Sequence, residues 1–320
     1  MKTKMKFNRS IALALSTLFL VSIGSAQNWG PSYQYDYGYN PKIANYVQTV
    51  VEVHNAGNGF GPLWYHVGYI DPSSPTITWG PNSYLYDYGW NPSVAYAGSS
   101  VVEVHNAGNG VGPMWYRVGH ITGQYTISWG PGHQYDNGYN PRVTIEGSTV
   151  VEVHNGGNGV GPMWYHVGHI TGSTISWGPS YQYDNGLNPS VAYSGGAVIE
   201  VHNGGNSVPG PMWYHVGYVT GSTISWGPSY QYDYGWNPSV APCNINLVEV
   251  HNGGDNVGPM WSHDGGFFNG YYTINWGGAY SYDYGWNPSV AGWNSAVEVH
   301  NGQAGVGSLW YHVTNSPCFY

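Results

Sequence analysis

Charge is what this 320-residue sequence has least of: Asp, Glu, Lys and Arg together make up 7% of it. Bases are scarcest, seven against sixteen acids, and four of the seven (Lys2, Lys4, Lys6 and Arg9) crowd the first nine residues. So few cations leave no basic surface for a phosphate backbone or an anionic headgroup, which excludes nucleic acid as a partner. There are only two cysteines, Cys243 and Cys318, too few for a disulfide scaffold or a zinc site. Beyond Ile23 no long apolar run occurs, so membrane insertion is not expected. No segment carries a helical apolar period with caps. Glycine (49), tyrosine (31) and tryptophan (16) are abundant instead. Low charge with so many aromatics is not the composition of a disordered chain; it suits a compact β-protein rich in turns.

The N-terminus reads as a secretory leader: a basic stretch at 1–9, an apolar run at 11–23, and Gly24-Ser25-Ala26 as a small-residue cleavage site. Cleavage after Ala26 leaves one domain, 27–320, expected outside the cytoplasm, secreted or periplasmic. Its remaining bases are Lys42, Arg117 and Arg142 against sixteen acids, a net charge of −13.

Within that domain a period of about 49 residues dominates. Glu-Val-His-Asn recurs with its histidine at 54, 105, 154, 202, 251 and 300, and Trp-Gly recurs at Trp29, Trp79, Trp129, Trp177, Trp226 and Trp276. Both markers count six. In the fourth unit, short β-runs at 189–193, 198–202, 212–216 and 223–226 are separated by Gly-rich turn chemistry, and a longer loop is expected over 227–237. Four runs per unit predict an all-β, six-bladed β-propeller of four-stranded blades. The last unit ends without its Trp-Gly strand, and the domain begins with one, Trp29-Gly30. The N-terminal strand is therefore expected to complete the last blade and hide the ring's open edges; a linear solenoid is the alternative. In this layout Cys243 falls between strands one and two of blade five and Cys318 follows strand three of blade six. Both lie on one face of adjacent blades, and a disulfide is expected.

The acids show where chemistry could be. Six are the repeated Glu52, Glu103, Glu152, Glu200, Glu249 and Glu298; six more are Asp36, Asp87, Asp136, Asp184, Asp233 and Asp283 of Tyr-Asp-x-Gly. A single catalytic constellation must break the repeat, and the four remaining acids, Asp71, Glu146, Asp255 and Asp264, form no evident pair. Strand alternation puts Glu52 and His54 on one side, Val51 and Val53 on the other, with Trp64 and His66 sharing a side of the next strand. Two uses are open. The Glu and His groups form a hydrogen-bond network between blades, or they line clefts where Glu binds hydroxyls and Trp64, Trp115, Trp164, Trp213 and Trp310 stack on sugar rings, joined by Arg117. The Asp fixes a turn by bonding the backbone two residues on, or accepts sugar hydroxyls beside Tyr35, Tyr86, Tyr135, Tyr183, Tyr232 and Tyr282. No metal site is expected, because His166 and His169 point to opposite sides of a strand, and no cofactor is implied.

Tyr-Asp-x-Gly-x-Asn-Pro resembles the Asp-box turn of sialidase propellers, although Pro replaces its aromatic end. Asp-boxes are structural turns in those enzymes, and this resemblance implies the same here; sialidases also grip a carboxylate with an arginine cluster, whereas only Arg117 and Arg142 stand in 27–320, so sialidase activity is not expected. In blade-length repeat, Trp per blade and Gly-rich turns, 27–313 is similar to bacterial and fungal propeller lectins, fucose-binding types included. That resemblance implies pockets between blades built from Glu, Trp and Arg, here Glu103, Trp115 and Arg117, with His66, His166, His215, His263 and His312 at the Arg position elsewhere. The expectation is a multivalent carbohydrate-binding protein without catalysis, its partners glycans or glycoconjugates. Blade five, with Ser262 and Asp264 replacing Tyr and Val, is expected to hold a weak site. A protein-binding scaffold and a glycan-cleaving enzyme with a site in the central channel are the alternatives.

Overall fold

The computed structural model describes residues 28–267, 271–315 and 318; the expected leader, 1–26, lies outside them. Among these residues are 23 strands and no helix. The first unit shows how they are used. Strands β1 (Tyr33–Tyr46), β2 (Thr49–Asn55), β3 (Gly61–Ile70), β4 (Ile77–Trp79) and β5 (Tyr84–Ala97) follow in order. The second half of β1 pairs antiparallel with β2, and β2 with β3. On its far edge β3 pairs with both β4 and the first half of β5. The rest of β5 pairs with Ser100–Asn106 and opens the next unit. Each long strand is thus the outer edge of one unit and the inner edge of the next.

The switch happens at Asn-Pro. Asn40, Asn91, Asn140, Asn188, Asn237 and Asn287 all have φ between 51° and 57°, the left-handed region that asparagine tolerates better than other side-chain-bearing residues. The proline that follows has no N–H to place in a ladder. The pairing register shifts here, between Tyr39 and Lys42 for example. The turned backbone is pinned from the neighbouring unit: Asn301 accepts from Asn40 N at 2.9 Å and donates to Gly38 O at 3.2 Å. Asn106 does the same for Asn140 and Gly138. The last residue of Glu-Val-His-Asn therefore holds the hinge.

The loop expected over 227–237 is corrected by this arrangement. Its second part belongs to the strand Tyr230–Cys243, with Gln231 opposite Trp213 and Gly235 opposite Gly210. Gly, Asn and Pro suggested turn chemistry, but the backbone finds a free strand edge in its own unit.

The ring closes as an all-β, antiparallel assembly. The first half of β1 pairs with Gly307–Val313, Tyr33 opposite Tyr311 and Gly38 opposite Gly307, and Trp29 bridges Thr314. Closure by the N-terminal segment thus extends from Trp29 to Gly38. Cys243 and Cys318 form a disulfide, Cα atoms 5.6 Å apart, tying the tail to the preceding unit. Between units the core is apolar on one side of each sheet: Val51, Val53, Tyr65 and Val67 pack on Val94, Val101 and Ile127. The opposite side carries the repeated polar groups.

Candidate functional site

At each junction the outer strand of one unit meets the polar side of the next. The six repeated glutamates are 0% exposed. At Glu249 both oxygens are bonded: His251 Nδ1 lies 3.0 Å from one, and Tyr232 of the preceding unit donates to the other at 3.1 Å. At Glu152, Glu200 and Glu298 the histidine two residues on bonds one oxygen, and the other has no hydrogen-bond partner among the described residues. Asp233, next to Tyr232, accepts from His263 Nε2 at 2.7 Å, and His251 Nε2 stands 3.9 Å away. A side chain on the motif glycine would collide with the histidine ring: an added Cβ at Gly38 would lie 2.5 Å from His54. The motif glycine is therefore a close-approach position.

In four of the six units the histidine opposite the glutamate has both ring nitrogens bonded. His263 Nδ1 lies 2.8 Å from the Gly277 carbonyl while Nε2 meets Asp233. His166, His215 and His312 repeat the pattern on Gly178 and Asp136, Gly227 and Asp184, Gly30 and Asp283. Carbonyl and carboxylate both accept, so a ring that bonds both must donate twice, which only imidazolium does. In the first unit the ring is turned over: His66 Nε2 bonds Gly80 O at 2.8 Å and Nδ1 lies 3.4 Å from Asp36. In the second unit Arg117 spans the same two acceptors, Asp87 at 2.5 Å and Gly130 O at 2.7 Å. Burial pushes the His263 pKa down, but the Asp233 hydrogen bond, the Glu249 charge and the Gly277 carbonyl outweigh it and raise it to about 8. Burial likewise opposes ionisation of Asp233, yet the bond from His263 holds its carboxyl below the usual range.

The aromatic members are part of the same wall. Tyr35 stacks on Trp79 at 4.7 Å, and Tyr86, Tyr135, Tyr183, Tyr232 and Tyr282 face Trp129, Trp177, Trp226, Trp276 and Trp29 at 5.1–5.4 Å. Trp64, Trp115, Trp164, Trp213 and Trp310 are half-buried on β3 and its equivalents. The expected site residues are thus brought together as junctions between units, with the glutamates out of reach of solvent. The Asp also departs from expectation. Oδ1 of Asp36 accepts from Tyr37 N, one residue on rather than two, at 2.8 Å, and Oδ2 faces the next unit. The fifth unit loses something different from a ligand contact. Elsewhere a tyrosine hydroxyl accepts a backbone N–H from the following unit, as Tyr214 does from Ile274 at 3.2 Å. Ser262 instead donates to Glu249 O at 3.0 Å.

Among the described residues, two groups bring possible metal ligands within 4.8 Å of one another: Asp233, His251 and His263, and Asp283, His300 and His312. A cation there would have to displace the His263–Asp233 or His312–Asp283 bond.

A second candidate lies on the axis, where residues depart from the sixfold pattern. A cavity of about 530 Å³ is lined by the inner strands near their turns, with Tyr46, Tyr96, Tyr193, Trp293 and Glu146 among its walls. Tyr46 packs edge-on against Trp293 at 4.6 Å and Tyr96 at 5.7 Å, an aromatic arc in which Trp293 is 43% exposed. Glu146 accepts from the Gly195 and Gly196 N–H groups at 2.6 and 3.0 Å. Burial and the Glu146 charge raise the pKa of the Tyr193 phenol. Deeper on the axis lie Lys42 and Arg142. Sequence reading left Lys42, Tyr46 and Trp293 unassigned; their common signal is that each differs from its equivalents in other units.

No family model and no curated protein matches this chain. Among solved structures, it is similar to Trypanosoma rangeli sialidase in complex with the inhibitor DANA, at 13% identity and a TM-score of 0.56, covering 89% of this chain and 55% of that one. The chain therefore spans about half the length of that sialidase. It is also similar to a neuraminidase-like protein of A/flat-faced bat/Peru, at 10% identity and a TM-score of 0.55, covering 92% of this chain and 95% of that one. At such identities the likeness is one of fold, and it supports a β-propeller. It does not extend to fucose-binding lectins in particular, and it corrects the expectation of a lectin that is not an enzyme, since the folds matched are those of a sialidase and a neuraminidase-like protein.

Proposed function

We propose that the protein is a secreted glycan-cleaving enzyme, a six-bladed propeller of four-stranded blades with one site on its axis. The observation that carries this is the meeting of repeat-breaking groups at the axial cavity. Glu146 is the fixed carboxylate of its wall, Tyr193 is a protonated phenol beside it, and Trp293, Tyr46 and Tyr96 offer flat apolar faces. A pocket of several hundred Å³ with aromatic walls and few polar groups suits a sugar ring. In this reading Glu146 activates a water, and Tyr193, kept protonated by burial and the neighbouring charge, donates to the departing oxygen. The resemblance to a sialidase fold supports a glycan substrate without naming the sugar.

The test is release of reducing ends or of aglycone from a panel of polysaccharides and aryl glycosides. Activity that falls at least ~100-fold in Glu146→Gln, with the fold intact, supports the assignment. Activity unchanged in Glu146→Gln, or no release from any of a broad panel, sinks it.

A further inference from the structure

Beneath the aromatic cavity the axis narrows to a second space of about 50 Å³. Its walls include one equivalent position from each unit, the residue after the hinge proline: Lys42, Ser93, Arg142, Ser190, Ser239 and Ser289. Two of the three bases beyond the leader are therefore in one ring of six positions. Lys42 is 6% and Arg142 8% exposed. Among the described residues the Lys42 ammonium has no hydrogen-bond partner, and Arg142 donates only to its neighbour, Pro141 O, at 3.1 Å. No carboxylate lines the space.

The serines add to this. Each accepts a backbone N–H from the next unit: Ser93 from Val143 at 3.2 Å, Ser190 from Val240 at 3.2 Å, Ser239 from Val290 at 3.1 Å and Ser289 from Ile43 at 3.4 Å. With the oxygen so used, each hydroxyl proton is left to donate, and no acceptor within the described residues takes it. The ring is thus two buried bases and four hydroxyl donors. Buried charges are ordinarily paired, and here the protein supplies no opposite charge at the site.

We propose that this ring binds a small inorganic anion of halide size, held on the axis by Lys42 and Arg142 with serine hydroxyls completing its shell. The volume admits one such ion. The anion also accounts for a lysine kept deep in a channel. Burial and the Arg142 charge press its proton affinity well below the usual value, with only Glu298 and Glu52 acting in the opposite direction.

Bromide is the probe. Crystals of the full chain soaked in sodium bromide should show one anomalous peak among these six side chains. In solution Tm should rise by ~2 °C or more between equimolar gluconate and bromide at fixed ionic strength. In Lys42→Ser/Arg142→Ser the peak and the rise should vanish. Serine already stands at four of the six positions, so this variant fits the ring. Absence of a peak in the unmodified protein, or a peak that survives in the double variant, overturns the proposal. So does a bromide-induced rise of equal size in both proteins. None of these outcomes depends on whether the protein cleaves glycans.

Discussion

Arg117 and His263 do the same job with different chemistry. Each reaches from the middle of its unit to an aspartate on the preceding unit and to the glycine carbonyl of its own Trp-Gly pair. Guanidinium is charged at every accessible pH, so Arg117 shows what the position requires, a cation that donates in two directions. The other five units carry histidine there, and the four rings that bond both acceptors do so only when protonated. Gly132 stands where other units carry Ser32, Ser83, Ser180, Ser229 or Ala279; a Cβ there would sit 3.5 Å from the Arg117 guanidinium, an ordinary contact. The repeat thus contains one junction with a fixed charge and five with a titratable one.

The largest effect should come from the group common to both kinds. Glu103 and Glu249 lie fully buried beneath Arg117 and His263, each bonded by the histidine two residues on. Glu249→Ala strands His251 and Tyr232, and Glu103→Ala strands His105. Either should cost about 3–5 kcal/mol in chemical unfolding, the usual penalty for removing one partner of a buried pair. Near-neutral behaviour of Glu103→Ala alone would mean that Arg117 had made its junction independent of the glutamate.

Alkaline titration comes next in size. The pKa of His263 is raised to about 8 in the folded protein, and those of His66, His215 and His312 are also raised. A raised folded pKa means stability that is fully present below the unfolded value, about 6.5, and is lost as pH climbs through the folded value. For His263 the loss is about 2 kcal/mol. Tm measured from pH ~6 to ~9 should therefore fall. A flat profile would show that the histidines are neutral and that only Arg117 carries charge. On the acid side, the lowered pKa values of Asp233 and Asp283, the latter to about 2, give stability present above the ordinary carboxylate range. It is lost as pH falls through the folded values, so these bonds are strongest between the two windows.

Much of this was legible in the sequence because repetition carries its own controls. The spacing of His54 and its equivalents counts six units, and Trp29 supplying what the last unit lacks favours a closed ring over a linear solenoid, without any knowledge of contacts. Strand alternation placed Glu52 with His54, and the choice between network and cleft turned on depth, which alternation does not encode. The Tyr-Asp-x-Gly segment was misread as a turn because local composition speaks to backbone preference, whereas an unpaired edge in the same unit decided the outcome. Arg117 was noticed as an exception, but its equivalence to protonated histidine needed the two acceptor distances. Lys42, Arg142, Glu146 and Trp293 are far apart in sequence. Their convergence follows from ring closure, since residues at equal positions in six units meet only at the axis.

The smallest and most discriminating effect is an exchange of cations between the two junctions. Arg117→His should leave stability within about 0.5 kcal/mol at pH ~6, where imidazolium can replace guanidinium. It should lose ~1–2 kcal/mol more than the parent at pH ~9, as a charge-assisted hydrogen bond is weakened. The reverse exchange, His263→Arg with Ala279→Gly to match the residue at Gly132, should flatten part of the alkaline loss without raising stability at pH ~6. Unfolding curves for the parent and both variants at the two pH values provide the measurement. If the arginine exchange stabilises equally at both pH values, Arg117 is simply the better ligand for aspartate. If the gain appears only at the higher pH, proton occupancy is what separates five junctions from the sixth.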